Sequence, residues 1–413
     1  MGRKCYFCNM KKLPYLIPIL SFILAVACTG TKPEPVEEPQ NQNETPAPEP
    51  EPEPKEPVPV VIEEPVLVTS EIMMKFITEI TYDERDYSYT HVMDEPYKAY
   101  GAPGDEDLPP TLEVSWEVDQ EAGPLTLTLS EGDWSSRTAL SAGTQSAKLS
   151  NLVPGRSYEY VVTRDDNGAV VGLGSFKTIG LIHQVYFQTR VRNARDLGGW
   201  STVDGKKVKF RKLYRGGKID GGSLSSTGKK EMLAEGILAE LDLREKDDAP
   251  SSSPLGKDIA FYNPDIDKGY GGMIRDRKEK VIKSFQFATK CVQENKPLYF
   301  HCSIGRDRTG TMAALFLGLL GVSESDISKE YELLYFSPAD WSLNGGATEF
   351  TYSRTKQYGH RYTCNTLWEL GGKALGVADN DYTVTFAQRI EAYLLSGGVT
   401  QAEIDAFRAG MLE

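Results

Sequence analysis

The chain has 413 residues, 40% hydrophobic, 25% charged and 10% aromatic, a length that requires more than one folded unit and a composition that lets most of it bury a core. Its net charge of −13 makes it a poor binder of nucleic acid, so no nucleic-acid partner is expected. The histidines (His91, His183, His301, His360) and cysteines (Cys5, Cys8, Cys28, Cys291, Cys302, Cys364) have neither metal-ligand spacing nor the density of a disulfide framework, so no metal site is expected.

Residues 1–27 read as a signal peptide. Arg3, Lys4, Lys11 and Lys12 precede an apolar run over 13–27 that Pro14 and Pro18 interrupt, too short for a spanning helix and right for a signal core. The run ends Leu24-Ala25-Val26-Ala27-Cys28, which resembles the bacterial lipobox. That resemblance implies cleavage before Cys28, its lipidation, and an exported lipoprotein of the outer membrane.

Residues 28–64 read as a tether. Ten of the 24 prolines lie between Pro33 and Pro59, alternating with glutamates, and such a stretch stays extended and self-repelling. Residues 65–110, with Tyr82, Tyr87, Tyr89, Tyr97 and Tyr100, give no clear period and read as an irregular connection.

From 111 to 179 the pattern changes to short alternating runs bounded by turn residues, the signature of an all-β sandwich. Leu112, Val114, Trp116 and Val118 alternate with polar positions, as do Leu125, Leu127 and Leu129, and then Tyr158, Tyr160 and Val162. The stretch Leu152-Val153-Pro154-Gly155-Arg156-Ser157-Tyr158 resembles the tyrosine corner of fibronectin type III modules, with Trp116 as their core tryptophan. The resemblance implies a spacer or docking module.

Residues 181–413 alternate strand and helix patterns, which predicts an α/β domain with a central, mostly parallel sheet flanked by helices. The apolar strand Pro297-Leu298-Tyr299-Phe300 runs into His301-Cys302-Ser303-Ile304-Gly305-Arg306-Asp307-Arg308-Thr309-Gly310, and an apolar helix follows. A loop of that length between cysteine and arginine turns successive backbone N–H groups toward a dianion, Gly305 permits the left-handed turn, and the helix adds its positive end. Arg308 supplies a bidentate fork for phosphate oxygens. In that field Cys302 is expected to ionise below the ordinary thiol value, with Thr309 donating to the thiolate. Ser303, Ile304, Gly305, Arg306 and Thr309 are the expected phosphate-binding positions.

The chemistry these residues suit is displacement at phosphorus by Cys302, with a carboxylic acid protonating the leaving oxygen and then activating water. No cofactor is needed for it. Candidate acids are Asp307 in the loop, Asp242 at a strand end, and the pair Asp265 and Asp267. Lys268, Arg275, Arg277, Lys278, Lys280 and Lys283 form a positive run that suits either an anionic headgroup or a solvated helix face.

The loop is similar to that of the cysteine-dependent protein tyrosine phosphatases, and more narrowly to the bacterial tyrosine phosphatase family with His-Cys-x-x-Gly-Lys-Asp-Arg-Thr-Gly, some of whose members also hydrolyse phosphoinositides. Asn193-Ala194-Arg195-Asp196-Leu197-Gly198-Gly199, Leu213-Tyr214-Arg215-Gly216-Gly217, Asp242-Leu243-Arg244 and Glu330-Tyr331-Glu332-Leu333 carry the same resemblance. It implies Asp307 as the working acid, Asp242 second, and Asn193, Arg195 and Asp196 bracing the loop. The family's lysine is Arg306 here. The expected activity is hydrolysis of phosphate monoesters, phosphotyrosine protein foremost; an inositol phosphate or phosphoinositide substrate, or phospho-ligand binding without turnover, stands as the alternative.

Overall fold

In the structure, a computed structural model, residues 57–79, 108–119, 121–188, 191–336 and 354–413 are described. The signal-like segment, Cys28, nearly all of the Pro/Glu stretch and the tyrosine-rich patch lie outside the described residues. The described residues all fall within one compact unit.

The amino-terminal part of that unit contains β1 (Val60–Leu67), α1 (Glu71–Glu79), β2 (Leu112–Ser115), β3 (Leu125–Glu131), β4 (Trp134–Leu140), β5 (Ser146–Leu149), β6 (Ser157–Arg164) and β7 (Val170–Ile179). They form a five-stranded sheet in the order β1-β7-β6-β3-β4 and a two-stranded sheet of β2 and β5. The alternation read from the sequence sets the inner face: Leu125, Leu127, Leu129, Tyr158, Tyr160 and Val162 share one buried cluster with Val114, Trp116 and Leu149. Trp116 donates its indole N–H to the Thr144 carbonyl at 2.8 Å, and a Cβ at Gly172 would lie 2.6 Å from the Trp116 Cβ, so that strand position needs glycine. Tyr158 Oη accepts the Val153 N–H at 2.9 Å.

Two elements depart from expectation. The tether reading extends to residue 64, yet Val60–Leu67 is a strand paired in parallel with β7, Val60 opposite Gly174. Its Val-Val-Ile run supplies the β-branched surface a sheet edge accepts, and that outweighs the flanking prolines. Within the stretch read as irregular, Glu71–Glu79 is a helix whose Met73 and Phe76 are buried in the core of the carboxyl-terminal α/β domain. Nine residues are too few for its apolar face to announce itself as a period.

The carboxyl-terminal part is α/β, as predicted. It runs β8 (Arg195–Asp196), β9 (Leu213–Gly216), α2 (Ser226–Ala234), β10 (Ala239–Asp242), β11 (Ala260–Tyr262), α3 (Tyr270–Asp276), α4 (Lys278–Gln293), β12 (Leu298–His301), α5 (Asp307–Leu320), α6 (Glu324–Glu332), α7 (Arg354–Leu375), α8 (Phe386–Leu395) and α9 (Gln401–Met411). The sheet order is β11-β10-β12-β9-β8. Its first four strands are parallel and β8 is antiparallel at the edge. Every residue of β12 is buried, as suits a central parallel strand covered on both faces. Buried positions run from Thr309 to Leu320 on α5, which ends at Gly321 in the left-handed conformation with φ of 87°. The loop between β12 and α5 therefore sits at the carboxyl end of the central strand, where open α/β sheets place their ligands.

The two parts share a polar, buried junction. Arg211 stacks its guanidinium on the Trp134 ring, 3.6 Å from the centroid. It also donates to Glu131 Oε2 at 2.7 Å, to Glu235 Oε2 at 3.3 Å and to Tyr158 Oη at 3.3 Å. The nearby carboxylates raise its pKa against the cost of burial. Lys329 of α6 donates to the Ile77 carbonyl of α1 at 3.0 Å.

Candidate active site

The loop that follows β12 keeps its carbonyls outward. The Ser303 carbonyl accepts the Lys218 N–H at 3.2 Å. The Gly305 carbonyl accepts from Asn193 Nδ2 at 2.6 Å and from Arg215 Nη2 at 2.5 Å. In a trans peptide the next N–H points the opposite way, so the Ile304 and Arg306 amides turn toward the concave side. Among the described residues, no backbone N–H of 303–306 donates to a protein acceptor. Gly305 has φ of 72°, and a Cβ there would lie 2.5 Å from the Gly216 carbonyl carbon, so this turn requires glycine.

Cys302 is 2% exposed at the bottom of this loop. Burial pushes its thiol up, but hydrogen bonding by the Thr309 hydroxyl and N–H, together with the Arg308 charge, outweighs it and leaves the thiol below its ordinary value. The Thr309 hydroxyl is buried with no hydrogen-bond partner among the described residues, which leaves its proton available to a thiolate at position 302. Arg308 uses Nη1 for the Ile266 carbonyl at 2.7 Å and for Glu245 Oε1 at 4.0 Å; among the described residues this leaves Nε and Nη2 for an oxyanion. Ser303, Ile304 and Arg306 are half-buried around it.

A buried triad holds the loop from behind. Glu330 accepts from Arg195 Nε at 2.8 Å and from Arg215 Nη1 at 2.6 Å, and Arg215 carries the Gly305 contact. Arg195 also donates to Asn193 Oδ1. Burial raises Glu330, but the two guanidinium charges prevail and keep it an anion. Asn193 therefore braces the loop directly and Arg195 braces it through Asn193 and Glu330. The roles of Arg215 and Glu330 were missed by sequence reasoning. The available signal was charge at strictly buried positions: Arg215 sits in an all-buried strand and Glu330 in a helix buried on every face.

Asp196 does not brace the loop, contrary to expectation. It accepts from Arg211 N at 2.6 Å and Gly198 N at 2.9 Å, and its Oδ2 lies 3.0 Å from His183 Nδ1. In a strand, adjacent side chains point to opposite faces, so Arg195 reaches the loop and Asp196 faces the domain junction.

The candidate acids separate clearly. Asp307 lies in the first turn of α5, half-buried at the loop, with Oδ1 accepting from Arg306 Nε at 2.9 Å and from the Tyr270 hydroxyl. Asp242 is fully buried and gripped bidentately by Arg244, with bonds of 2.6 and 2.9 Å. Burial would raise it, but Arg244 and His301 hold it below the usual carboxylate range, so it has no proton to give and its place as second acid is corrected. Asp265 is lowered by the Lys246 N–H and Lys280, and Asp267 by Arg277 to about 2. Both stay ionised.

Behind Cys302, His301 pairs with Glu240 at 2.9 Å and directs Nδ1 at the Cys302 carbonyl, 3.2 Å away. Burial alone would strip the ring of charge, but Glu240 and Asp242 raise its pKa. Glu240, Asp242 and His301 offer ligand atoms within 4.8 Å of one another; with Asp242 taken by Arg244, the cluster reads as a hydrogen-bonded support for the loop.

Five of the six cations of the positive run are paired with acids. Lys268 pairs with Asp276, Arg275 with Glu369, Arg277 with Asp267, Lys280 with Asp265 and Lys283 with Glu279. Lys278 donates to Ser396 and lies over the Tyr393 ring. Arg306 is likewise folded onto Asp307.

A Cys-x5-Arg loop at the carboxyl end of a parallel strand, with a lowered thiol and inward amides, defines a phosphate-handling cysteine site. A family model described as the tyrosine phosphatase family matches residues 188–413, and the chain belongs to that family. A Cupriavidus necator protein with a provisional tyrosine-protein phosphatase name is 28% identical over 173 residues, 36% of this chain and 62% of that protein. A Nostoc commune tyrosine-protein phosphatase is 26% identical over 219 residues, 46% of this chain and 71% of its own. Among solved structures, the core catalytic domain of the PP-IP phosphatase SIW14 from S. cerevisiae matches 36% of this chain and 78% of its own at 16% identity. Its TM-score is 0.24, too low to bear on fold or substrate.

Proposed function

We propose that this chain is a cysteine-dependent phosphatase that hydrolyses phosphate monoesters, phosphotyrosine protein foremost, through a cysteinyl-phosphate intermediate. The observation that carries the reading is geometric: Cys302 lies at the bottom of a loop whose Ser303 and Gly305 carbonyls are held outward, with Arg308 Nε and Nη2 left to face a bound oxyanion.

The Cys302 thiolate attacks phosphorus and the ester oxygen leaves, taking a proton from Asp307. The backbone N–H groups of 303–308 and the Arg308 side chain stabilise the equatorial oxygens as charge develops. Asp307, now ionised, takes a proton from water as water attacks the cysteinyl phosphate and returns the thiolate. Asp242 keeps Arg244 in place throughout.

Pairing of the cations at 268–283 favours phosphotyrosine over a polyphosphorylated inositol, because a headgroup with several phosphates needs unpaired positive charge around the mouth. Export, cleavage before Cys28 and lipid tethering to the outer membrane complete the reading; they rest on the basic, apolar and lipobox-like segments alone. The two-sheet domain with its Tyr158 hydroxyl bonded five residues back supports a fibronectin type III-like module.

The test is phosphate release by the purified full chain, wild type and Cys302→Ser, from a phosphotyrosine peptide, a phosphoinositide and inositol hexakisphosphate. The expected result is release from the peptide that vanishes in Cys302→Ser. Preference for an inositol substrate overturns the substrate assignment, and no release by folded protein leaves a phospho-ligand binding protein. For the tether, Cys28→Ser is expected to move the protein out of the membrane fraction, and retention there rejects lipidation.

A further inference from the structure

The carboxylate of Asp307 is held by a tyrosine that lies outside the catalytic loop. Tyr270 opens α3 with φ of 56°, a left-handed conformation unusual for an aromatic residue. Its N–H donates to Thr311 Oγ1 at 3.0 Å, which ties the turn to α5 one helical turn beyond Asp307. Its hydroxyl donates to Asp307 Oδ1, the same oxygen that accepts Arg306 Nε.

The tyrosine is itself held on two sides. Its hydroxyl lies 3.2 Å from that of Tyr331. Tyr331 is 1% exposed and stacks on His360, with ring centroids 4.5 Å apart. On the other side α7 presents Gly359, where any Cβ would run into the Tyr270 ring. Burial, with the Asp307 charge beside it, raises the Tyr270 phenol and keeps it a protonated donor.

From these contacts we infer that Tyr270 is the positioning residue of the general acid, with Tyr331 orienting its hydroxyl. A carboxyl on the first turn of a helix turns freely unless it is held, and proton transfer in the transition state depends on its placement to within a fraction of an ångström. Two donors on one oxygen set the plane of the group. The inference rests on the phosphatase reading and adds to it a residue that touches neither phosphate nor sulfur.

Help from an acid matters in proportion to how basic the leaving group is. A nitrophenolate departs without a proton and an unsubstituted phenolate does not. The experiment compares kcat/KM of the full chain on phenyl phosphate and 4-nitrophenyl phosphate for wild type, Tyr270→Phe, Asp307→Asn and the double variant. Tyr270→Phe is expected to lose about ten-fold on phenyl phosphate and little on the nitrophenyl ester. Adding it to Asp307→Asn is expected to change nothing further. Equal losses on both esters, no loss on either, or a further fall in the double variant overturns the role. Failure of the underlying reading has its own mark, phosphate release that survives Cys302→Ser, and the role of Tyr270 falls with it. Circular dichroism and a thermal melt of Tyr270→Phe separate misfolding from mispositioning. If that variant does not fold, Tyr331→Phe, which keeps the bond to Asp307 and frees the Tyr270 hydroxyl, is expected to show the same ester-selective loss in weaker form, and its absence counts against the inference.

Discussion

Asn193 donates its side-chain N–H to the carbonyl of Gly305 at 2.6 Å, across 112 residues of sequence. The same carbonyl accepts Arg215, which Glu330 holds together with Arg195. The shape of the catalytic loop is therefore set by four residues outside it, and their loss has distinct consequences.

Glu330→Gln leaves two buried guanidinium groups facing each other without their anion. Removing one partner of a buried ion network costs about 3–5 kcal/mol, so the variant is expected to melt well below wild type. Turnover by the fraction that folds is expected to fall with it. Chemical denaturation followed by activity measurement checks both, and an unchanged midpoint would contradict the triad's role.

Cys302 is lowered despite burial, so alkylation by iodoacetate is expected to reach half its maximal rate below about pH 8.5, the ordinary thiol value. Thr309→Val removes a donor to sulfur and is expected to move that midpoint up. The sign for stability follows. A lowered thiol contributes stability that is fully present above the unfolded pKa and is lost as pH falls through the folded one. A wild-type midpoint at or above the ordinary value rejects the thiolate assignment.

Asp307→Asn and Asp242→Asn are expected to separate chemistry from support. The first is expected to lower kcat/KM on phosphotyrosine by about 10²–10⁴-fold, the range of general acid catalysis, with the melting temperature little changed. The second leaves the buried Arg244 with weakened pairing and is expected to lower the melting temperature first. Paired kinetics and melts decide, and the reverse pattern would return Asp242 to the acid's role.

Arg211→Ala is expected to loosen the strand domain from the catalytic domain, because one guanidinium serves Trp134, Glu131, Tyr158 and Glu235 together. Calorimetry is expected to turn one unfolding transition into two, with a loss of about 3 kcal/mol as buried Glu235 loses its guanidinium and keeps the Tyr214 hydroxyl at 2.8 Å. A single transition at the wild-type temperature would show the two parts to be coupled by other contacts.

The catalytic loop was legible in the sequence because its chemistry is local: nucleophile, turn glycine, acid and arginine fall within seven consecutive positions between a strand and a helix. The strand domain was legible through its period of two. The support for the loop was not, because Arg215 and Glu330 stand 115 residues apart and each alone reads as an ordinary charge. The motif that carries Arg195 also carries Asp196, and the pleat of a strand sends such neighbours to opposite faces. The positive run at 268–283 was visible as cations; Asp265, Asp267, Asp276 and Glu279, which pair with four of them, lie in or beside the run, and only Glu369 of α7, the partner of Arg275, is brought near by the fold.

The parallel pairing of β1 with β7 also fixes how the molecule bears load. A pull on the chain before Val60 reaches the amino end of β1, while β7 continues from its carboxyl end at Ile179 into the catalytic domain. Force applied at those opposite ends strains the bonds between the two strands in shear, all at once, where a hairpin would open them one by one. Because β1 also leads through Thr69 and Ser70 into α1, whose Met73 and Phe76 lie in the catalytic core, tension entering before Val60 is shared between that covalent path and the sheared ladder.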